Sequence, residues 1–156
     1  EIVEQSDILF ANEYDAVKIL GIKSDLDVDG VINDEEYIDL MEKTIKKYNL
    51  SSVITTKREV KSSSYNIFSS KAIMNGKLYK SKKYDINNIV DRVGSGDAFV
   101  GGILSGLYLF DSPKDILEFA TASSCIKHTI YGDWNITSKE EVISLMNSKG
   151  SGDVSR

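Results

Sequence analysis

A layered α/β fold is the class this sequence predicts, and three features predict it. A short apolar, strand-like segment runs directly into a capped helical pattern within residues 7–21. A strongly periodic helical segment over residues 33–49 is followed at once by a β-branched run. Alternating segments then give way to three more helical patterns, the first of them introduced by glycines. The 156 residues, 41% of them apolar, suffice for one domain with a buried core.

Taken in order, "DILFA" (Asp7 to Ala11) reads as a short buried strand, and "NEYDAVKILG" as a helix capped by Asn12 and stopped by Gly21. In "NDEEYIDLMEKTIKKYN", Asn33 or Asp34 is the N-cap, acids occupy the first turn and lysines the last. Tyr37, Leu40, Met41, Thr44, Ile45 and Tyr48 share one side of that helix. "SSVITT" is a β-branched strand, and "YNIFSSKAIMNGKLYKSKKYDI" alternates around Asn75-Gly76, a hairpin signal. "NNIVD" is strand-like, "RVGSG" a turn, and "DAFVGGILSGLYLF" a helix of small residues ending at Phe110. Ser112-Pro113 opens another helix and "SKEEVISLMN" forms the last. A polar, Gly/Ser-rich tail is expected to be flexible over 150–156, leaving 1–149 as the folded portion.

Composition excludes several classes. A net charge of −5 offers no broad basic field for nucleic acid, and the clusters "KTIKKY" and "KLYKSKKY" read as solvated faces with interleaved apolar residues. The single cysteine, Cys125, forms no internal disulfide, and no Cys/His spacing suits zinc, so a reducing cytoplasm is expected. The apolar run around Ile103 to Phe110 is too short to span a bilayer, so no membrane partner is expected. The chain starts at Glu1, almost directly before "DILFA", which suggests a piece of a longer or processed protein.

In "DRVGSGDAF" the glycines precede a helix. The first N–H groups of a helix lack intrahelical partners, and its dipole adds roughly half a positive charge, so the position favours an anion. Gly94 and Gly96 permit close approach, Ser95 adds a hydroxyl, and Asp97 in the first turn is placed to accept a proton from an attacking hydroxyl. A base beside an oxyanion cradle suggests phosphoryl transfer. The bland alternative is an aspartate that merely caps its helix. Neither a G-x-x-x-x-G-K-[ST] loop nor G-x-G-x-x-G is present, Phe99 standing at the last glycine of the latter.

"DRVGSGDAFVGGILSGL" resembles the D-T-x-G-A-G-D signature near the C-terminus of the ribokinase-like (PfkB-type) carbohydrate kinases. Arg92 and "KHTIYGDWN" resemble the 2-keto-3-deoxygluconate kinase branch. "NEYD" (Asn12 to Asp15) resembles the family's N-x-x-E motif, and "VITTKRE" its strand leading to nucleotide contacts. The family chain is about twice as long, so what is resembled is its C-terminal half. The resemblance implies a three-layer α/β/α fold around a mostly parallel sheet, ATP and Mg2+ as cofactors, and phosphorylation of a small-molecule sugar acid, 2-keto-3-deoxygluconate first, in the cytoplasm. It further implies a homo-oligomer for the full-length enzyme, and no turnover by this portion alone.

Residue by residue, Gly94, Ser95 and Gly96 would form the anion hole and Asp97 the general base. Asp91 would organise the loop or a monovalent cation, and Asn12 and Asp15 would act on magnesium through water. Thr56 and Lys57 would reach nucleotide phosphates, Thr121 and Ser124 would fall near the adenine, and Arg92 and Asp133 would lie toward the sugar. Asp15 departs from the motif's glutamate and Tyr131 from the branch's usual proline. Two alternatives stand beside this reading: another sugar kinase of fructokinase or ribokinase type, and a nucleotide-binding module without turnover. His128 reads as a helix-end residue that caps carbonyls or flanks a nucleotide, and Cys125 as a small core residue. Trp134 either walls a substrate pocket or packs beneath a loop.

Overall fold

The structure is a computed structural model that describes residues 2–28, 30 and 32–148. The expected tail, 150–156, lies outside the described residues. Among the described residues five strands form one sheet in the order β1-β2-β3-β4, with β5 pairing β3. The strands are β1 (Ile8–Phe10), β2 (Ser52–Val60), β3 (Asn66–Met74), β4 (Lys77–Lys80) and β5 (Tyr84–Ile86). Among the described residues four α-helices accompany them, α1 (Asp34–Tyr48), α2 (Ser95–Leu109), α3 (Pro113–Lys127) and α4 (Lys139–Asn147), so the expected α/β class is present. The chain divides into two compact units, Glu1–Thr56 with Lys71–Tyr79, and Lys57–Ser70 with Lys80–Arg156.

In the first unit β1 runs parallel to β2, pairing Ile8 with Ser52 and Phe10 with Ile54. The core gathers Ala16, Ile22, Tyr37, Leu40, Met41, Leu50, Val53 and Ile73. Helix α1 supplies three of these from the face its periodicity predicts, while Ile45 and Tyr48 pack at the margin. Its start is a capping box: Asn33 Oδ1 accepts from Glu36 N–H (3.0 Å) and Glu36 Oε2 accepts from Asn33 N–H (2.9 Å). The hairpin turn falls at Asn75 (φ 52°) and Gly76 (φ 68°), the left-handed pair a two-residue β-turn requires. After β1 the expected helix is a single π-helical turn, Asp15–Ile19, in which Leu20 N–H reaches back five residues to Asp15 O (2.9 Å). Gly21, at φ +63°, ends it as expected.

In the second unit β5 runs antiparallel to β3, with Asn66 opposite Ile86 and Phe68 opposite Tyr84. The strand expected over Asn87–Asp91 does not form, whereas β5 falls at the end of the alternating segment that closes with "YDI". The reason lies in the backbone donors, since Ile89 N–H bonds Ser64 O (3.1 Å) and both Val90 and Asp91 N–H bond His128 O (2.8 and 3.2 Å). Those groups serve loop connections and are lost to a ladder. Buried Glu118 on α3 accepts from Tyr84 OH and from Lys82 N–H (3.0 Å), tying β5 to that helix.

The small residues of α2 have a packing cause. A Cβ at Gly102 would lie 2.6 Å from Ala120 Cα, and one at Gly106 3.0 Å from Ile116 Cγ2. The helices therefore meet backbone to backbone. Gly102→Ala is expected to destabilise the fold by about 1–3 kcal/mol through overpacking. Neighbouring Gly101, whose Cβ would meet nothing within 4 Å, should gain up to about 1 kcal/mol as alanine from helix propensity. Urea unfolding of the two variants, which differ by one position, reads opposite signs; like signs would refute the close approach.

Candidate active site

The glycine loop is shaped by Asp91. Its Oδ1 accepts from Val93 N–H (3.0 Å), closing a local turn, and its Oδ2 accepts from Gly132 N–H (3.0 Å), joining the loop to the "GDWN" segment. These two donors, Val93 before Gly132, hold the carboxyl below its ordinary range. Gly94 then enters α2 as its N-cap at φ +76°. A Cβ there would stand 2.1 Å from Asp133 O, so the position admits only glycine.

No side chain caps this helix. Ser95 N–H bonds Arg92 O (3.2 Å) and Ala98 N–H bonds Gly94 O (2.8 Å), while the N–H groups of Gly96 and Asp97 take no partner among the described residues. The bland role for Asp97, capping its own helix, is therefore not the one it plays. Its exposed carboxylate lines a cleft of about 470 Å³ between α2, α3 and the start of α4. Asp133, Asn135 and Lys139 line the same cleft, as do Gly101, Gly102 and Ser105 along α2. An open, uncapped helix start with a carboxylate in its first turn can bind an anion and take up a proton beside it.

The remaining expected site residues are not among those that line this cleft. Asn12, Asp15 and Thr56 belong to the first unit. Asn12 Oδ1 accepts from Asp15 N–H (2.9 Å) and Asp15 Oδ2 from Asn12 N–H (3.0 Å), so "NEYD" closes a reciprocal cap. The pair is pinned to the strand before it, since Ala11 N–H bonds Ile54 O (3.1 Å) and Ala11 O accepts from the buried Thr55 hydroxyl. Among the described residues no cluster of three or more His, Cys, Asp or Glu could hold a metal by itself. The donors of Asn12 and Asp15 are hard oxygens, which fit magnesium that keeps most of its waters.

Thr56 and Lys57 are exposed on β2. Arg92 is not among the residues that line the cleft; its Nη2 donates to Ser63 O (2.8 Å), and its buried Nε takes no hydrogen bond among the described residues. Thr121 and Ser124, expected near an adenine, are fully buried. Thr121 Oγ1 donates to Leu117 O (2.7 Å) and pairs with Ser70 Oγ (2.6 Å), and Ser124 Oγ donates to Ser95 O (2.8 Å). His128 is fully buried, its Nδ1 against Ser124 O (2.7 Å) and its ring beside Phe68, and burial lowers its pKa. Cys125 is buried in the core, as its sequence context predicts. Trp134, 75% exposed, neither packs beneath the loop nor lines the cleft. Asn135 and Lys139 carry no signal in the glycine motif; the Ser138 and Glu141 capping box, which starts α4, is the local pattern that would have located Lys139.

No helix among the described residues is long and apolar enough to cross a membrane. Residues 1–139 match the family model of the pfkB family carbohydrate kinases. A 2-dehydro-3-deoxygluconokinase from Thermotoga maritima is 39% identical in its solved structure, with a TM-score of 0.83 over 94% of this chain and 43% of that one. A 2-dehydro-3-deoxygalactonokinase of Haloferax volcanii is 30% identical over 77 residues, 49% of this chain and 24% of that protein. An Arabidopsis thaliana ribokinase solved with ribose and ATP is 18% identical, with a TM-score of 0.60 over 95% of this chain and 43% of that one, and shares the ribokinase-like fold. The chain thus spans less than half the length of each of these proteins. With the family model covering residues 1–139 and the uncapped, glycine-led start of α2 in place, the chain belongs to the pfkB family of carbohydrate kinases.

Proposed function

We propose that the protein carrying this chain transfers the γ-phosphoryl group of ATP to a sugar acid, 2-keto-3-deoxygluconate, forming its 6-phosphate. The observation that carries the reading is the uncapped start of α2, with Asp97 opening on the cleft it shares with Asp133. The 39% identity to the Thermotoga maritima 2-dehydro-3-deoxygluconokinase supports the choice of sugar acid.

In this mechanism Asp97 accepts the proton of the sugar's primary hydroxyl as that oxygen bonds to phosphorus. The bond from phosphorus to the β–γ bridging oxygen breaks, and ADP leaves. The N–H groups of Gly96 and Asp97 donate to the phosphoryl oxygens where charge collects, without reorganising at the moment of reaction. Gly94 and Ser95 complete the loop around them. Lys57 and Thr56 would engage the remaining phosphates. Asn12 and Asp15 would hold magnesium through water, and magnesium supplies neutralisation of the phosphate oxygens. Asp91, held by the N–H groups of Val93 and Gly132, would organise the loop or meet a monovalent cation.

Turnover of 2-keto-3-deoxygluconate, 2-keto-3-deoxygalactonate, fructose and ribose by the protein carrying this chain tests the reading. The sugar acid should lead by about 10-fold or more in kcat/KM. Fructose or ribose leading would reassign the substrate, and no transfer to any of them would overturn the kinase reading. Asp133→Ala should cut kcat/KM for the sugar by about 10- to 100-fold, the loss of one hydrogen bond to a charged group, with the KM for ATP unchanged. Equal loss for sugar and ATP would return Asp133 to a loop-shaping role.

A further inference from the structure

A serine or threonine inside a helix can turn its hydroxyl back to the carbonyl four residues earlier, and Thr121 does so with Leu117 O. Its neighbours on α3 do otherwise. Ser124 Oγ reaches across to Ser95 O (2.8 Å), and Ser123 Oγ reaches Ala98 O (3.4 Å). Both serines are buried, Ser124 fully. The two carbonyls they hold stand on either side of Asp97 in the first turn of α2. Each serine is itself fixed: Asn135 Nδ2 donates to Ser123 Oγ (2.9 Å), and His128 Nδ1 lies 2.7 Å from Ser124 O. His128 O in turn accepts from Val90 and Asp91 N–H, the entry to the glycine loop. The last turns of α3 therefore grip the loop before the helix and the helix turn that bears the carboxylate.

We propose that Ser124, assisted by Ser123, is a positioning residue for phosphoryl transfer, holding the first turn of α2 so that the Asp97 carboxylate and the open N–H groups of Gly96 and Asp97 keep a fixed relation. The inference rests on the kinase reading above. A hydroxyl that only aligns the reacting groups acts in the transition state more than in the ground state, so its loss lowers kcat and leaves KM nearly untouched. Displacements well under the size of an atom suffice, since a 1 Å misplacement can cost about 10²-fold.

The test compares Ser124→Ala, Ser124→Cys and Ser70→Ala in the protein carrying this chain, with Asp97→Asn beside them. Ser70→Ala removes another buried hydroxyl, one that touches Thr121 and not α2. Ser124→Ala should lower kcat by about 10- to 100-fold with both KM values within about two-fold, and Ser124→Cys, nearly the same size with a weak donor, should fall between it and the parent. Ser70→Ala should lose thermal stability comparably while keeping kcat per folded molecule. Parental kcat in Ser124→Ala or, should that variant not fold, in Ser124→Cys overturns the inference, as does a kcat loss no larger than that of Ser70→Ala. If Asp97→Asn also keeps parental turnover, the kinase mechanism itself fails; if Asp97→Asn is inactive and Ser124→Ala is not, only the positioning role fails.

Discussion

Asp97→Asn is expected to lower turnover by about 10²- to 10⁴-fold, the usual worth of a positioned general base. The substitution preserves size and leaves the backbone that opens α2 unchanged. Because no side chain caps that helix, no cap is lost with the carboxylate, and the folded state should lose no more than about 1 kcal/mol, the attraction of the helix dipole for a first-turn acid. ATP should still bind, since the open N–H groups of Gly96 and the residue at 97 persist. Single-turnover kinetics with saturating sugar, alongside a nucleotide-binding titration, separate the two effects. Near-parental turnover would remove Asp97 from the chemistry and return it to an ordinary first-turn acid.

Gly94→Ala is the second large effect, and it should strike stability and turnover together. The residue sits at φ +76°, which costs a non-glycine residue about 1–2 kcal/mol. The added Cβ would also meet Asp133 O at 2.1 Å, a contact with backbone that no rotamer change relieves. Overpacking adds about 1–3 kcal/mol, so the total destabilisation is expected near 2–5 kcal/mol. Any relief must part the glycine loop from the segment that carries Asp133. Gly96→Ala is the informative contrast, because its Cβ would meet nothing within 4 Å. That variant should unfold at the parental urea concentration or somewhat above it, by helix propensity, yet bind ATP more weakly, the methyl standing where the anion approaches. If Gly94→Ala unfolds like the parent, the close approach to Asp133 is wrong. If Gly96→Ala binds ATP like the parent, the anion is held elsewhere.

Much of the architecture was legible because its causes are local. The Asn33 and Glu36 box lies within one helical turn, the Asn75-Gly76 turn needs only two left-handed residues, and Ser112 caps α3 three residues ahead of the N–H it binds. The same holds for the site's first layer: glycines before a helix and an acid in its first turn form a pattern within seven residues, and that pattern carried the family resemblance. The π-helical turn after β1 was not legible, since nothing in "NEYDAVKILG" distinguishes a reach of five residues from one of four.

The sequence by itself determined the α/β class, the principal helices with their caps, the hairpin, and the place of Asp97 behind its glycines in the first turn of α2. Tertiary structure alone decided that Ile89, Val90 and Asp91 give their backbone donors to Ser64 and His128 carbonyls, so that no strand forms there. It also decided that Thr121 and Ser124 turn inward, and that Gly94 is required by a neighbouring loop as well as by its own dihedral angle. The physical reason is the span of the interactions. Ser124 reaches Ser95 across 29 residues and Gly132 reaches Asp91 across 41, and hydrogen bonds between such distant positions follow from how helices and loops pack, which no local pattern of residues encodes.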